Sequence, residues 1–263
     1  MSVLMDYDFA GVEQNYDELI VSFTTESYCN INIDELIAEI KEILPETQLN
    51  SVEKISDRNW NEEWEKHVQP VIVSEQIAIT PTHHSDNIDA QIKIIIDPKM
   101  SFGTGHHNTT RLMCKLMEKI NFKDKKWIDV GTGTGVLAIL AAKLGAEYIY
   151  AFDNNEWSVE NAVENIEKNA VSDKIKIELE DIENVEFDDY DGVAANIFLN
   201  LVIPSLKKFK MGILKRNGDL LISGIMIYDE QQVIDEATKA GLVLADKIYE
   251  DEWVAFHFRI KDN

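Results

Sequence analysis

Short apolar blocks alternate with longer amphipathic blocks along the second half of the chain. The short blocks have the length of strands, and in the longer blocks apolar residues recur with the helical period. The predicted strands cover residues 126–131, 148–153, 174–179, 191–196, 219–223, 243–249 and 253–260, and the predicted helices cover residues 109–120, 135–144, 155–169, 199–211 and 229–240. Strands that alternate with helices predict an α/β fold with a doubly wound, seven-stranded and mostly parallel sheet, which binds ligands at its carboxyl edge.

The last two predicted strands are separated by a short polar link, Glu250–Glu252. A link of this length joins two strands as a hairpin and leaves no room for a crossover helix. We therefore predict that the final strand runs antiparallel to the rest of the sheet.

The first part of the chain shows a weaker pattern. The predicted elements there are strands at residues 19–24 and near 49–55, a helix at 34–44, a helix at 59–68 that contains Trp60 and Trp64, and strands at 71–79 and 91–96. The chain is thus predicted to consist of a small α+β domain at residues 1–56, a linker helix at 57–70 and the sheet domain at 71–263. The small domain carries no chemical motif, and we expect it to recognise the substrate.

A glycine-rich turn follows the first strand of the sheet domain. Trp127–Val130 is apolar except for Asp129, and Gly131, Gly133 and Gly135 come directly after it and before a helix. Glycine allows the backbone to turn tightly and to approach a ligand closely. The second strand ends at Asp153, whose carboxylate is placed to accept hydrogen bonds from ribose hydroxyls. The turn and the carboxylate together predict a site for a nucleotide cofactor.

The spacing of these glycines distinguishes two classes of cofactor. A dinucleotide-binding turn has a third glycine three positions after the second, and Val136 occupies that position here. Asp129 adds a carboxylate at the strand end, which suits a cationic ligand better than a pyrophosphate. The pattern hhDxGxGxG, followed by an acid at the end of the next strand, resembles the class I S-adenosylmethionine-dependent methyltransferases, whose fold is Rossmann-like. A nicotinamide-dependent oxidoreductase is the alternative.

The charge of the chain limits its partners. The chain has 263 residues, is 45% hydrophobic and carries a formal net charge of −23 at pH 7. No segment of the sequence combines clustered lysines or arginines with interleaved aromatic residues, so direct binding to nucleic acid is not expected. A basic protein substrate fits the charge better, although acidity that only serves solubility explains it equally well.

The cysteines, the histidines and the lengths of the apolar runs argue against metal-binding, membrane-spanning and secreted proteins. Cys29 and Cys114 form no C-x-x-C pair, and the histidine pairs at 83–84 and 106–107 lack the carboxylates or cysteines of a metal site. The sequence has no apolar run of about eighteen residues and no signal peptide. We therefore expect a cytoplasmic protein without a metal site or a membrane contact, and a monomer because no exposed apolar helix face is evident.

Five segments of the sequence narrow the choice of methyltransferase family. They are DPKMSFGTGHHNTT at 97–110, DVGTGTG at 129–135, AANI at 194–197, LISGI at 221–225 and EDEWVAF at 250–256. In this order they resemble the ribosomal protein L11 methyltransferases of bacteria, over the chain from about Asp57 to its end. The resemblance implies a small recognition domain, a linker helix and a class I methyltransferase domain. It also implies that S-adenosylmethionine is used to methylate amino groups of ribosomal protein L11.

The chain departs from the family pattern at three points. His106 stands where a threonine is common, and Thr134 is a mild substitution in the glycine turn. The amino-terminal domain starts at about the end of the helix with which the family's domain normally opens. We therefore expect a shortened or incomplete substrate-docking domain and an intact cofactor site.

The resemblance assigns roles to individual residues. The expected cofactor-binding residues are Thr110, Gly131, Gly133, Gly135, Asp153, Asn196, Phe102, Gly103, Thr104 and Asp181. Asn196 is also expected to position the incoming amine, Asp181 to bind the adenine amino group, and the loop at 102–104 to cover the cofactor or shape the amine channel. Structural alternatives stand beside these roles, including a cap of the next helix for Asp153 and a solvated turn for Asp181.

The predicted function is the transfer of methyl groups to lysine or amino-terminal amines of ribosomal protein L11. A class I methyltransferase for another protein, a small molecule or nucleic acid is the alternative, since this fold hosts all of them. Asn196 is followed by Ile197 and Phe198, without the proline pair common in enzymes that methylate amines of bases. A docking protein without catalysis is disfavoured because both the glycine turn and Asp153 are present.

Overall fold

The computed structural model describes residues 4, 7–15, 18–54 and 68–260. The chain divides into two compact units, Met1–Arg58 and Asn59–Asn263. The predicted linker helix, with Trp60 and Trp64, lies outside the described residues up to position 67.

The first unit contains a hairpin and two helices. Its elements are β1 Gly11–Gln14, β2 Leu19–Ser22, α1 Thr25–Cys29 and α2 Ile33–Ile43. Strands β1 and β2 pair antiparallel, and the side chain of Asn32 caps α2 by accepting a hydrogen bond from the Asp34 amide at 3.2 Å. The predicted strand near 49–55 is wrong over the described residues 49–54, which are not in a strand. Leu49 and Val52 are exposed there, so their apolar character does not mark a buried strand.

The second unit begins with a small sheet of the strands β3 Val71–Ile72, β4 Ile77–Thr80 and β5 Ile92–Ile95. The single strand predicted at 71–79 is therefore wrong: β3 and β4 are separate strands that pair antiparallel. The Ser74 hydroxyl causes the break, because it accepts hydrogen bonds from the amides of Gln76 and Ile77 at 3.2 and 3.1 Å and so stabilises a turn. A 3₁₀ helix, Thr82–Asn87, connects β4 to β5.

The large sheet confirms the predicted fold. Seven of the described strands form it: β6 Lys126–Val130, β7 Tyr148–Asp153, β8 Ile175–Leu179, β9 Gly192–Asn196, β10 Asp219–Met226, β11 Leu242–Glu250 and β12 Trp253–Ile260. Their order is β11-β12-β10-β9-β6-β7-β8, and β12 runs opposite to the other six strands of this sheet. The helices are α3 Asn108–Glu118, α4 Val136–Lys143, α5 Glu156–Lys168, α6 Leu199–Leu214 and α7 Glu230–Ala240.

Two apolar clusters cover the two faces of this sheet. Along β6, Trp127 belongs to the cluster that contains Ile139 of α4, while Ile128 belongs to the cluster that contains Phe209 of α6. The alternation follows from the strand period of two, and burial on both faces explains why apolar residues on both faces surround Asp129 in this strand.

The order in which the strands are connected determines where the large sheet binds a ligand. From β6 the chain adds β7 and β8 on one side and then crosses to add β9 on the other side of β6. In open α/β sheets, ligands bind beyond the carboxyl ends of the strands at such a reversal, which is called the switch point. The site therefore lies where β6 and β9 end, next to the glycine turn.

Candidate functional site

The glycine turn adopts a backbone that other residues rarely adopt. The φ angles of Gly131, Gly133 and Gly135 are +65°, +54° and +83°. A Cβ atom on Gly133 would lie 2.2 Å from the carbonyl oxygen of Phe102, and one on Gly131 would lie 2.7 Å from the Cγ2 atom of Ile197. Glycine is thus required here both for conformation and for space, because two other loops pack directly on the turn.

Asp153 holds the turn from the neighbouring strand. Its Oδ2 atom accepts a hydrogen bond from the Gly133 amide at 2.9 Å, and its Oδ1 atom accepts one from the Asn155 amide at 3.0 Å. The alternative role for Asp153, a cap of the next helix, is filled by Asn155, whose side chain accepts from the Ser158 amide. Asp153 is half-buried, and each carboxylate oxygen has lone pairs left for further donors.

Asp129 is buried beneath the turn, with 2% of its surface exposed. Its Oδ2 atom accepts hydrogen bonds from the Thr132 hydroxyl at 2.6 Å and from the Ala138 amide at 3.1 Å. No donor within the described part of the chain reaches its Oδ1 atom. Burial raises the pKa of Asp129 to about 7, and the nearby charge of Asp153 acts in the same direction.

Two further side-chain oxygens near the switch point are buried and, among the described residues, without a hydrogen-bond partner: Oγ1 of Thr110 and Oδ1 of Asn196. Asn196 ends β9, which pairs with β6. Thr110 lies one helical turn before Cys114, whose thiol pKa is raised to about 12 by burial and by the charge of Asp129. Helix α3 packs against β9 and β10. Unpartnered buried oxygens are rare in proteins and are natural acceptors for the donors of a ligand.

The loop before α3 forms another wall of the site. The amide and the hydroxyl of Thr134 donate to the carbonyl oxygens of Phe102 and Gly103, both at 2.8 Å. The Phe102 side chain is 51% exposed and lies 5.2 Å from the His107 ring, measured between ring centroids. The predicted loop residues Phe102 and Gly103 thus lie against the glycine turn, while the hydroxyl of Thr104 accepts a local hydrogen bond from the His106 amide.

Asp181 has no described contact with the glycine turn. Its Oδ1 atom accepts from the Glu183 amide and its carbonyl oxygen from the Asn184 amide, both at 2.9 Å. These are the hydrogen bonds of a local turn after β8.

Two structural residues of the site were missed by sequence reasoning. Gly224 has a φ of +85°, and a Cβ atom there would lie 2.3 Å from the Ile197 carbonyl oxygen, directly after Asn196. Asn165, which has no exposed surface, donates to the Thr134 carbonyl oxygen at 3.0 Å. A glycine within the apolar run LISGI was the available signal for the first. For the second, the signal was the spacing of asparagines 161, 165 and 169 along one face of a helix.

In the described residues, no three or more His, Cys, Asp or Glu side chains are grouped so that they could hold a metal ion. Over the same residues, no helix is long and apolar enough to span a membrane.

Comparison with known proteins identifies the family. Residues 5–261 match the family model described as ribosomal protein L11 methyltransferase, so the similarity reaches further toward the amino terminus than the motifs indicated. The protein of that name from Chlorobaculum parvum is 41% identical over 255 residues, which span 91% of this chain and 84% of the relative. The one from Bacteroides thetaiotaomicron is 34% identical over 242 residues, or 91% of this chain and 85% of the relative.

A solved structure agrees with this assignment. The ribosomal protein L11 methylase from Lactobacillus delbrueckii subsp. bulgaricus is similar with a TM-score of 0.68 and 25% identity, over 74% of this chain and the whole of that one. The predicted doubly wound fold and the predicted family are thus confirmed by independent comparisons. This chain belongs to the ribosomal protein L11 methyltransferase family.

Proposed function

We propose that this protein transfers methyl groups from S-adenosylmethionine to lysine or amino-terminal amines of ribosomal protein L11. The family and the relatives' names support the reaction and the substrate. The observation that carries the proposal in the structure is the set of unpartnered buried oxygens of Asp129 in β6, Asn196 at the end of β9 and Thr110 on α3. Together they offer acceptors, and one of them is a carboxylate, to a ligand that carries a cationic amine.

The residues present fit this cofactor. Asp153 ends β7, where its free lone pairs suit the two hydroxyls of a ribose. The glycine turn would bring backbone close to the ligand, and the unpartnered oxygens of Thr110 and Asp129 would accept hydrogen bonds from the ammonium group of the methionine part. Phe102 and Gly103 would cover the cofactor from the loop side. When bound, S-adenosylmethionine supplies a methyl carbon that its sulfonium has already activated.

The protein must then deliver a neutral amine to that carbon. A lysine side chain has an ordinary pKa of about 10.4 and has to lose its proton before it can attack. Asn196 lies at the end of β9, and its unpartnered Oδ1 atom suits a hydrogen bond from the amine nitrogen. Such a bond would orient the nitrogen lone pair, and correct positioning alone supplies a large part of the rate in transfer reactions.

The remaining parts of the proposal concern the substrate and the surroundings. We assign residues 1–56 to docking of the ribosomal protein, residues 57–70 to a linker and residues 71–263 to catalysis. The net charge of −23 suits a basic ribosomal protein and opposes direct contact with RNA. The protein is proposed to act in the cytoplasm as a monomer.

Calorimetry with S-adenosylmethionine and with NAD tests the cofactor. We expect binding of the first and none of the second, and we expect Asp153→Ala to weaken binding at least about tenfold, because the ribose hydroxyls lose a charged acceptor. Asp188→Ala is the matched control, since Asp188 is exposed and pairs with Lys215 on the surface. Binding of NAD alone, or full affinity in Asp153→Ala, would refute the assigned site.

A further inference from the structure

Thr134 connects three parts of the site although it has no exposed surface. Its amide donates to the Phe102 carbonyl oxygen and its hydroxyl to the Gly103 carbonyl oxygen, both at 2.8 Å. Its own carbonyl oxygen accepts from the Asn165 side chain at 3.0 Å. The glycine turn, the loop before α3 and helix α5 therefore meet at this one residue.

Asn165 fixes the start of the same loop. Its Oδ1 atom accepts from the Asp97 amide at 3.0 Å, so the asparagine binds loop and turn at once. Asn161, one turn earlier, donates to the Asp97 carbonyl oxygen at 2.9 Å, and Asn169, one turn later, donates to and accepts from the backbone of Ile95 at 2.7 and 3.0 Å. One face of α5 thus binds the backbone of residues 95–97 in the way a neighbouring strand would.

Steric contact adds to these hydrogen bonds. The missing Cβ of Gly133 leaves the space in which the Phe102 carbonyl oxygen sits, and a Cβ on Gly103 would lie 2.6 Å from the Thr134 hydroxyl oxygen. The loop at residues 97–105 is therefore held at Asp97 and again at Phe102 and Gly103.

We propose that Thr134 and Asn165 are positioning residues that hold the 97–105 loop against the glycine turn, so that the cofactor site is formed before the cofactor binds. This inference rests on the proposed cofactor site. Neither residue has to touch the ligand, because the role is to keep Phe102 and Gly103 in place. Ordering a loop during binding costs conformational entropy, and a loop that is already ordered does not incur this cost.

The Thr134 hydroxyl offers the sharpest test. Valine has nearly the volume of threonine, so Thr134→Val changes the buried volume little but removes the donor to the buried Gly103 carbonyl oxygen. Serine keeps the hydroxyl. We expect the Kd for S-adenosylmethionine, measured by calorimetry, to rise about tenfold in Thr134→Val and to stay within about twofold in Thr134→Ser.

Thr80→Val is the matched control, because Thr80 is another buried threonine whose hydroxyl donates to a backbone carbonyl oxygen, that of Pro81, at 3.2 Å. Its cofactor Kd should equal that of the wild type. With ribosomal protein L11 as substrate, Thr134→Val should raise KM for the cofactor about tenfold and leave kcat unchanged, because only ordering before binding is affected.

A second pair of variants distinguishes an effect on the position of the loop from an effect on the overall stability of the protein. Asn165→Leu and Asn169→Leu remove buried amides from the same helix face, but Asn165 alone of the two binds the glycine turn. We expect Asn165→Leu to weaken cofactor binding at least about fivefold more than Asn169→Leu when the two are compared below their unfolding temperatures.

Hydrogen exchange in the free protein gives a readout that needs no ligand. Peptides that cover residues 97–105 should exchange faster in Thr134→Val than in Thr134→Ser or Thr80→Val. Unchanged exchange together with unchanged Kd in Thr134→Val would overturn the inference, as would equal losses in Thr80→Val. A wild-type protein that binds no S-adenosylmethionine would refute the proposed function instead, while the exchange experiment would still report on the loop.

Discussion

Asp129 shows how one residue carries both structure and chemistry. Its Oδ2 atom is bound by Thr132 and Ala138, while its Oδ1 atom faces no donor in the part of the chain that the structure describes. Its folded pKa is about 7, against an ordinary value of 3.8, because burial disfavours the charged form. As pH rises from about 4 to about 7, the folded state keeps a proton that the unfolded state has released, so this residue lowers stability over that range.

A cationic ligand reverses this preference. S-adenosylmethionine should bind the ionised form of Asp129 more tightly, so we expect its affinity to rise several-fold from about pH 5.5 to about pH 7.5. In Asp129→Asn the affinity should be weaker and nearly independent of pH over this range, because the titrating group is gone. Calorimetry at several pH values measures both trends. The same pH slope in Asp129→Asn and in the wild type would show that another group controls binding.

Individual residues of the site also differ in whether their roles could be predicted from the sequence. The glycine turn and Asp153 were predicted because their backbone geometry and chemistry are tied to a local pattern, and both lie at the switch point. Their contacts with the cofactor remain a prediction. The roles of Asn165 and Gly224 were not predicted, because they depend on which distant loops the fold brings together, and no local pattern carries that information.

At the scale of elements, periodicity located the strands and helices of the large sheet to within a few residues. Periodicity predicted the wrong structure at two places. At Ser74 local hydrogen bonds form a turn, and in the segment at 49–54 apolar residues are exposed and not in a strand. Periodicity also did not show which polar side chains would be buried between strands. The clearest example is Asp219, the first residue of β10, which is 4% exposed.

Asp219 joins β10 to β12 through charged hydrogen bonds. Its Oδ1 atom accepts from His257 at 2.8 Å and from Arg259 at 2.9 Å. Burial raises the pKa of Asp219, but these hydrogen bonds outweigh burial, so the pKa lies below its ordinary value. Stabilisation by a carboxyl of this kind is present above the unfolded pKa and is lost as pH falls through the folded pKa.

We therefore expect Asp219→Asn to lower the free energy of unfolding by about 2 kcal/mol at neutral pH, because Arg259 and His257 lose a charged partner. The difference from the wild type should shrink as the pH falls below about 4. Urea unfolding at neutral pH and below about pH 4 measures this difference in the free energy of unfolding. Asp188→Asn, at an exposed ion pair with Lys215, should change little. A constant difference at all pH values would show that packing, and not charge, holds the two strands together.

For the whole molecule, the two units divide the work that the proposal requires. The second unit holds the sheet, the glycine turn and Asn196, while the first contains a hairpin and two helices without a chemical motif. Fold and family were predictable because the motifs along the second unit occur in a fixed order. The identity of the methylated amines was not, because it depends on how a second protein docks, and no pattern within one chain specifies that.

Methyl transfer to ribosomal protein L11 tests the central claim most directly. Purified L11 is incubated with the protein and S-adenosylmethionine and followed by intact mass, with another basic ribosomal protein as the control substrate. We expect L11 alone to gain the mass of one or more methyl groups. Asn196→Ala should lower the rate about a hundredfold at saturating cofactor, while Asn121→Ala, at a turn before β6, should not. An L11 mass that stays unchanged while the cofactor binds would contradict the proposed substrate.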